Sequence, residues 1–177
     1  MSNYIRPKIG GAAIFFTVAI AERQSDALIQ NIDILREAVR KTRAQRPFKI
    51  NAWVVLPDHM HAVWTLPEED FDYSTRWSVI KARVSRQLPF SAQKTSHIAR
   101  REHGFWQRRF WEHHIRSEEA LQACVEYCWN NPVKHGLVDA PSDWPYSSWH
   151  RDHVDRCAIN AHPTHGVKFN LVSAGIS

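Results

Sequence analysis

Two histidines stand at positions i and i+2 in Leu56-Pro57-Asp58-His59-Met60-His61-Ala62-Val63-Trp64. Both flanks, Asn51–Val55 and Ala62–Leu66, are apolar and rich in β-formers, so they read as strands. Successive side chains of a strand point to opposite faces, which puts His59 and His61 on one face and Met60 and Ala62 on the other. Two neutral imidazoles on one face can converge on a single divalent cation. In a chain with 11 histidines that pair is a weak signal by itself. A second group strengthens it: in Tyr127-Cys128-Trp129-Asn130-Asn131-Pro132, Tyr127 and Asn131 are four apart and share a helix face. A phenol and an amide oxygen are thereby available to one cation site. Asp58 reads first as a turn former after Pro57, and second as an acceptor that orients a histidine through its other ring nitrogen.

These residues carry a resemblance. His59-Met60-His61 resembles the HUH motif. Trp106–Arg116 and Tyr127–Val138 resemble the corresponding segments of the REP-associated tyrosine transposases, single-tyrosine relatives of the insertion-sequence transposases. The similarity runs from about Arg6 to about Trp149. It implies an α+β fold with a ferredoxin-like antiparallel sheet and helices packed on it. The implied activity is metal-dependent cleavage and transfer of single-stranded DNA at REP hairpins. Tyr127 would be the nucleophile and a 5′-phosphotyrosine the intermediate. His59, His61 and Asn131 would hold Mg2+ or Mn2+. The insertion-sequence relatives generally have Gln where this chain has Asn131, one carbon shorter. The resemblance further implies a monomer, and the lack of a spanning run or a signal-peptide layout around Ala12–Ile20 leads to the expectation of a cytoplasmic, nucleoid-associated protein.

Two other readings remain open on sequence grounds. One is a domesticated hairpin-binding protein without cleavage. The other is a zinc-stabilised nucleic-acid protein using His59, His61, Cys124 and Cys128. Helical Cys-x-x-x-Cys is unlike the usual zinc knuckle, and buried core thiols are the expectation for both cysteines. Three cysteines without framework spacing argue against a disulfide scaffold.

The formal charge of +5 is unevenly distributed. The segment 76–116 holds ten Lys or Arg against Glu102 and Glu112. Trp77, Trp106 and Trp111 are interleaved with those cations, a pattern suited to a phosphate backbone and stacked bases. The candidate DNA-binding residues are Arg83, Arg86, Arg100, Arg101, Trp106, Arg108, Arg109, Trp111, Arg116 and, near the tyrosine, Lys134. No apolar run is long enough to span a membrane.

The elements that must position these groups follow from periodicity. At 177 residues the chain suits one domain, 1–150, with 151–177 as a flexible or loosely docked tail. Ala12–Ile20 reads as a central strand, and Leu28, Ile32, Leu35 and Val39 as a helix stripe capped by Ser25 or Asp26. Phe48–Leu56 and the histidine strand form a hairpin. Trp77–Leu88 is predicted helical, with Lys81, Arg83 and Arg86 outward. Ser91–Gly104 is a loop, and Gly104–Ile115 a strand or hairpin. Ser117 caps the tyrosine helix, which is expected to end at Asn131 before Pro132. Asp143–Trp149 is expected to fold back on the domain.

Overall fold

The structure, a computed structural model, describes residues 9–88 and 104–153. Its elements are β1 (Ala13–Ala19), α1 (Ala27–Gln30), α2 (Ile32–Gln45), β2 (Lys49–Val55), β3 (His59–Thr65), α3 (Tyr73–Gln87), β4 (Trp111–Ile115) and α4 (Glu118–Lys134), followed by a 3-10 turn at Pro141–Asp143. All strand pairings are antiparallel and the order is β2-β3-β1-β4. That is the ferredoxin-like βαββαβ arrangement, with α4 added after it.

The sheet divides the molecule into two cores. Ile14, Phe16, Val18, Met60, Ala62 and Trp64 face α2 and α3, where Trp64 stacks on Trp77 at 4.3 Å. Phe15, Ala52, Val54, Val63, Val125, Cys128 and Trp129 form the smaller core beneath α4. A two-strand period thus sends alternate residues of β1 and β3 to different helices. Because both faces are covered, residues 59–64 of β3 are all buried.

Several local expectations are revised. The first helix breaks at Asn31 into α1 and α2; Asp26 makes no side-chain cap, and its carboxylate accepts from the Gln30 amide instead. In Gly104–Ile115 only Trp111–Ile115 is strand, and Trp106 makes an isolated bridge to Ile20. Arg76, counted among the basic segment, is 1% exposed. Its guanidinium donates to Asp70, to the carbonyls of Arg46 and Pro47, and to that of Asp72, which ties α3 to the end of α2. Lys81 does not point to solvent. Its amine donates to the Gln107 carbonyl at 2.9 Å and lies over the rings of Trp106 and Phe110; burial pulls it down to about 8.

The closing segment folds back as expected. Val55 N–H donates to Tyr146 O, Ser148 N–H to Trp53 O, and Trp144 Nε1 to Val55 O. This segment therefore covers the outer edge of β2, which would otherwise offer unpaired backbone groups. Residues 149–153 are helical and Arg151 reaches the Ile50 carbonyl. The rest of the expected tail, 154–177, and most of the Ser91–Gly104 loop lie outside the described residues, as does the lead-in before Ile9. Among the described residues no helix is long and apolar enough to cross a membrane.

Candidate active site

The two histidines are held by the sheet, each from a different neighbour. In the antiparallel register His61 lies opposite Thr17 and His59 opposite Ala19. His61 Nδ1 is 3.0 Å from Thr17 Oγ1, and His59 Nδ1 is 2.6 Å from an Asp58 oxygen. Asp58 is in turn fixed by Arg23 at 3.0 Å and by the Gln24 N–H at 3.1 Å. The favoured reading of Asp58 as a plain turn residue is therefore corrected: its carboxylate accepts from His59 Nδ1–H. A proton held on His59 Nδ1 by the carboxylate leaves the lone pair of that imidazole at Nε2. The rings lie 5.1 Å apart between centroids.

Burial keeps this pair neutral. His59 and His61 are 7% and 5% exposed. Desolvation pulls His59 below its ordinary range, opposed by the Asp58 carboxylate. His61, without a carboxylate, falls to about 3, through desolvation first and then the charges of His59, His135 and Lys134. Neutral imidazole is the form that ligates metals.

The helix α4 supplies the remaining groups. Ser117 caps it by accepting from Ala120 N–H, and Glu118 and Glu119 occupy its positive end. It does not end at Asn131. It runs through Pro132 to Lys134, because a proline so near the terminus forfeits only one bond, to the Cys128 carbonyl. The end is set instead by Gly136 at φ 67°, with Leu137 N–H on Pro132 O and Gly136 N–H on Val133 O. This extra turn brings in a residue the sequence reading passed over: His135, whose ring is 5.3 Å from that of His59.

Tyr127, 41% exposed, meets His61 edge-on at 5.3 Å and Phe15 at 5.7 Å. Lys134 Nζ lies 5.1 Å from the Tyr127 ring. Asn131 sits one turn from Tyr127 and one turn from His135, between the two points where α4 touches the histidines. It is 1% exposed, and neither its amide oxygen nor its nitrogen has a hydrogen-bond partner among the described residues. Buried amides are almost always paired. An orphaned one beside two neutral imidazoles fits a cation ligand, so the donor set suits a metal.

The zinc set does not form. Among the described residues no three of His, Cys, Asp and Glu come together as a metal group. Cys128 is fully buried with its thiol pushed far up, and Cys124 lies partly buried on the same helix.

The proposed DNA-binding residues are dispersed. Trp111, 57% exposed, lies on the face of β4 that carries Phe15's neighbours and meets Phe15 edge-on at 5.8 Å. Arg108, Arg109 and Arg116 are exposed on either side of β4. Trp106 is instead half-buried against the larger core and donates to the Lys81 carbonyl. Arg83 and Arg86 belong to α3, behind the sheet from the histidines, and Arg83 donates to Gln45. Arg100 and Arg101 lie outside the described residues.

A ferredoxin-like sheet presenting a His-x-His pair beneath a helix with one site-facing tyrosine defines a single-tyrosine HUH-type fold. Comparison with known proteins agrees. The chain is 45% identical over 152 residues to the REP-associated tyrosine transposase of Escherichia coli strain K12, covering 86% of this chain and 85% of that one. It is 42% identical over 154 residues to a candidate member from Haemophilus influenzae strain Rd, covering 86% and 88%. A solved structure of a REP-associated tyrosine transposase bound to a REP hairpin matches with a TM-score of 0.75 at 42% identity, over 100% of both chains. No family model matches the chain. The chain belongs to the REP-associated tyrosine transposases, and so to enzymes with a tyrosine nucleophile.

Proposed function

We propose that this protein cuts and rejoins single-stranded DNA at REP-type hairpins, with Tyr127 as the nucleophile and a 5′-phosphotyrosine intermediate. The observation that carries this is the contact of an open tyrosine ring with a buried, neutral histidine pair, beside the orphaned Asn131 amide.

His59, His61 and Asn131 would hold Mg2+ or Mn2+. Bound there, the ion would supply charge neutralisation at a non-bridging phosphate oxygen. Asp58 and Thr17 hold the imidazoles in one orientation. Tyr127 Oη attacks phosphorus, the P–O3′ bond breaks, and the phenolic proton is balanced by one gained at the leaving 3′-oxygen. Lys134 places a positive charge at the tyrosine, which favours the incoming phosphate. A later 3′-hydroxyl reverses the attack, so bond energy is conserved and strand transfer is possible. Trp111, Arg108, Arg109 and Arg116 extend this site along β4 as backbone and base contacts.

The test is incubation of wild type and Tyr127→Phe with an end-labelled single strand carrying a REP hairpin, with Mn2+, followed by a denaturing gel. Wild type forms a protein–DNA adduct that chelation abolishes. Tyr127→Phe forms none and binds the hairpin within about twofold of wild type, since backbone contacts dominate affinity. An adduct in that variant removes Tyr127 from the mechanism.

A further inference from the structure

Beside Tyr127 lies a groove of about 480 Å3 lined by Phe15, Thr17, Trp111, His113, Ala123, Cys124 and Tyr127. None of these side chains is a carboxylate, ammonium or guanidinium, so the groove suits a neutral, flat group rather than a phosphate. Its volume is within the roughly 300–1,000 Å3 of small-ligand clefts. Trp111 and His113 alternate on one face of β4, and their ring planes are 6° from parallel at 6.0 Å. Both rings line the groove as a parallel aromatic pair. Phe15 stands edge-on to both Trp111 and Tyr127, and stacks on His61 at 5.4 Å. Phe15 and Thr17 thus join the groove to the histidine corner. At 57% exposed, the Trp111 indole is open to a ligand in this groove.

We infer that this groove holds the nucleoside immediately 3′ of the cut, by stacking its base on Trp111 and His113. The inference rests on the proposed cleavage by Tyr127. The Tyr127 ring has two unlike sets of neighbours: the polar Lys134 and His61 that it meets directly, and the uncharged groove that it lines. The phosphate belongs with the polar set. In-line attack puts the leaving 3′-oxygen across phosphorus from the phenol, so the nucleoside 5′ of the cut departs away from Tyr127. The nucleoside attached through O5′ remains bonded to the phosphate that Tyr127 captures, and it is the one within reach of the groove. Stacking there would hold the covalent intermediate in place while the leaving strand exchanges. Phe15, Trp111 and His113 are then positioning residues for the retained strand.

The experiment first maps the wild-type cut on a REP-hairpin single strand. Strands are then made with a tetrahydrofuran abasic site one position 3′ or one position 5′ of that cut. Adduct formation is timed with wild type, Trp111→Ala and Trp111→Phe, each checked for an unchanged melting temperature. The 3′ abasic site should slow wild type about tenfold or more, the scale of one base–aromatic stack. Trp111→Ala should slow the intact strand by a similar factor yet treat the 3′ abasic strand almost as wild type does. Trp111→Phe should restore most of the rate. Coupling of Trp111 to the 5′ abasic site, or to neither, overturns the assignment while leaving cleavage by Tyr127 standing. Absence of any wild-type adduct overturns the cleavage reading and this assignment with it.

Discussion

Asn131 is a buried amide with no hydrogen-bond partner among the described residues. An unpaired buried amide costs about 1–3 kcal/mol, so its retention points to a task other than stability. Asn131→Leu, similar in volume, should raise the metal-free unfolding free energy by about 1 kcal/mol while abolishing adduct formation. Paired melting and cleavage assays check this, and a destabilised variant would mean that Asn131 has a structural partner. Asp58 acts through His59. Asp58→Asn keeps the size but weakens the hold on Nδ1–H, and should cost roughly 10–100-fold in metal affinity or cleavage rate. Unchanged Mn2+ titrations and rates would return Asp58 to the turn.

At the scale of elements, α4 lies over the face of β3 and β1 that bears His59, His61, Phe15 and Thr17, and α2 and α3 are committed to the other face. The Arg76–Asp70 pair secures that second layer. Arg76 holds the Asp70 carboxyl below its usual range, chiefly by direct hydrogen bonding. A depressed carboxylate contributes stability above its unfolded-state value and loses it as pH falls through the folded one. Arg76→Met should therefore destabilise the protein by on the order of 3 kcal/mol at neutral pH. The deficit relative to wild type should shrink as pH drops below the ordinary carboxylate range. Denaturant titrations at neutral and acid pH measure both, and a deficit that stays constant with pH would separate Arg76 from Asp70.

For the whole molecule, the basic segment divides by burial. Arg76 and Lys81 serve packing, whereas Arg108, Arg109 and Arg116 are exposed along the β4 side of the site. Each phosphate contact on a single strand contributes a slope of about −0.7 in log affinity against log salt. Arg108→Ala with Arg109→Ala should flatten the slope by about 1.4. Binding titrations at several salt concentrations decide it, and lost thermal stability with an unchanged slope would assign the two arginines to the fold.

Local chemistry made much of this legible in the chain. The period of two in residues 59–65, the Ser117 cap and the helical spacing of Tyr127 and Asn131 each depend on near neighbours. They yielded the strand, the helix start and the grouping of site residues before any tertiary contact was known. The remainder was decided by packing. Thr17 meets His61 only through the β1–β3 register, across 44 residues, and no local pattern encodes that pairing. His135 joins because α4 continues past Pro132, and the burial of Asn131 and Trp129 favours that extra turn over the local bias of the residue before a proline. Charge sign was visible in Arg76 and Lys81, but burial was not: whether a cation meets phosphate or a carbonyl depends on which distant backbone packs over it, and that exists only in the folded chain.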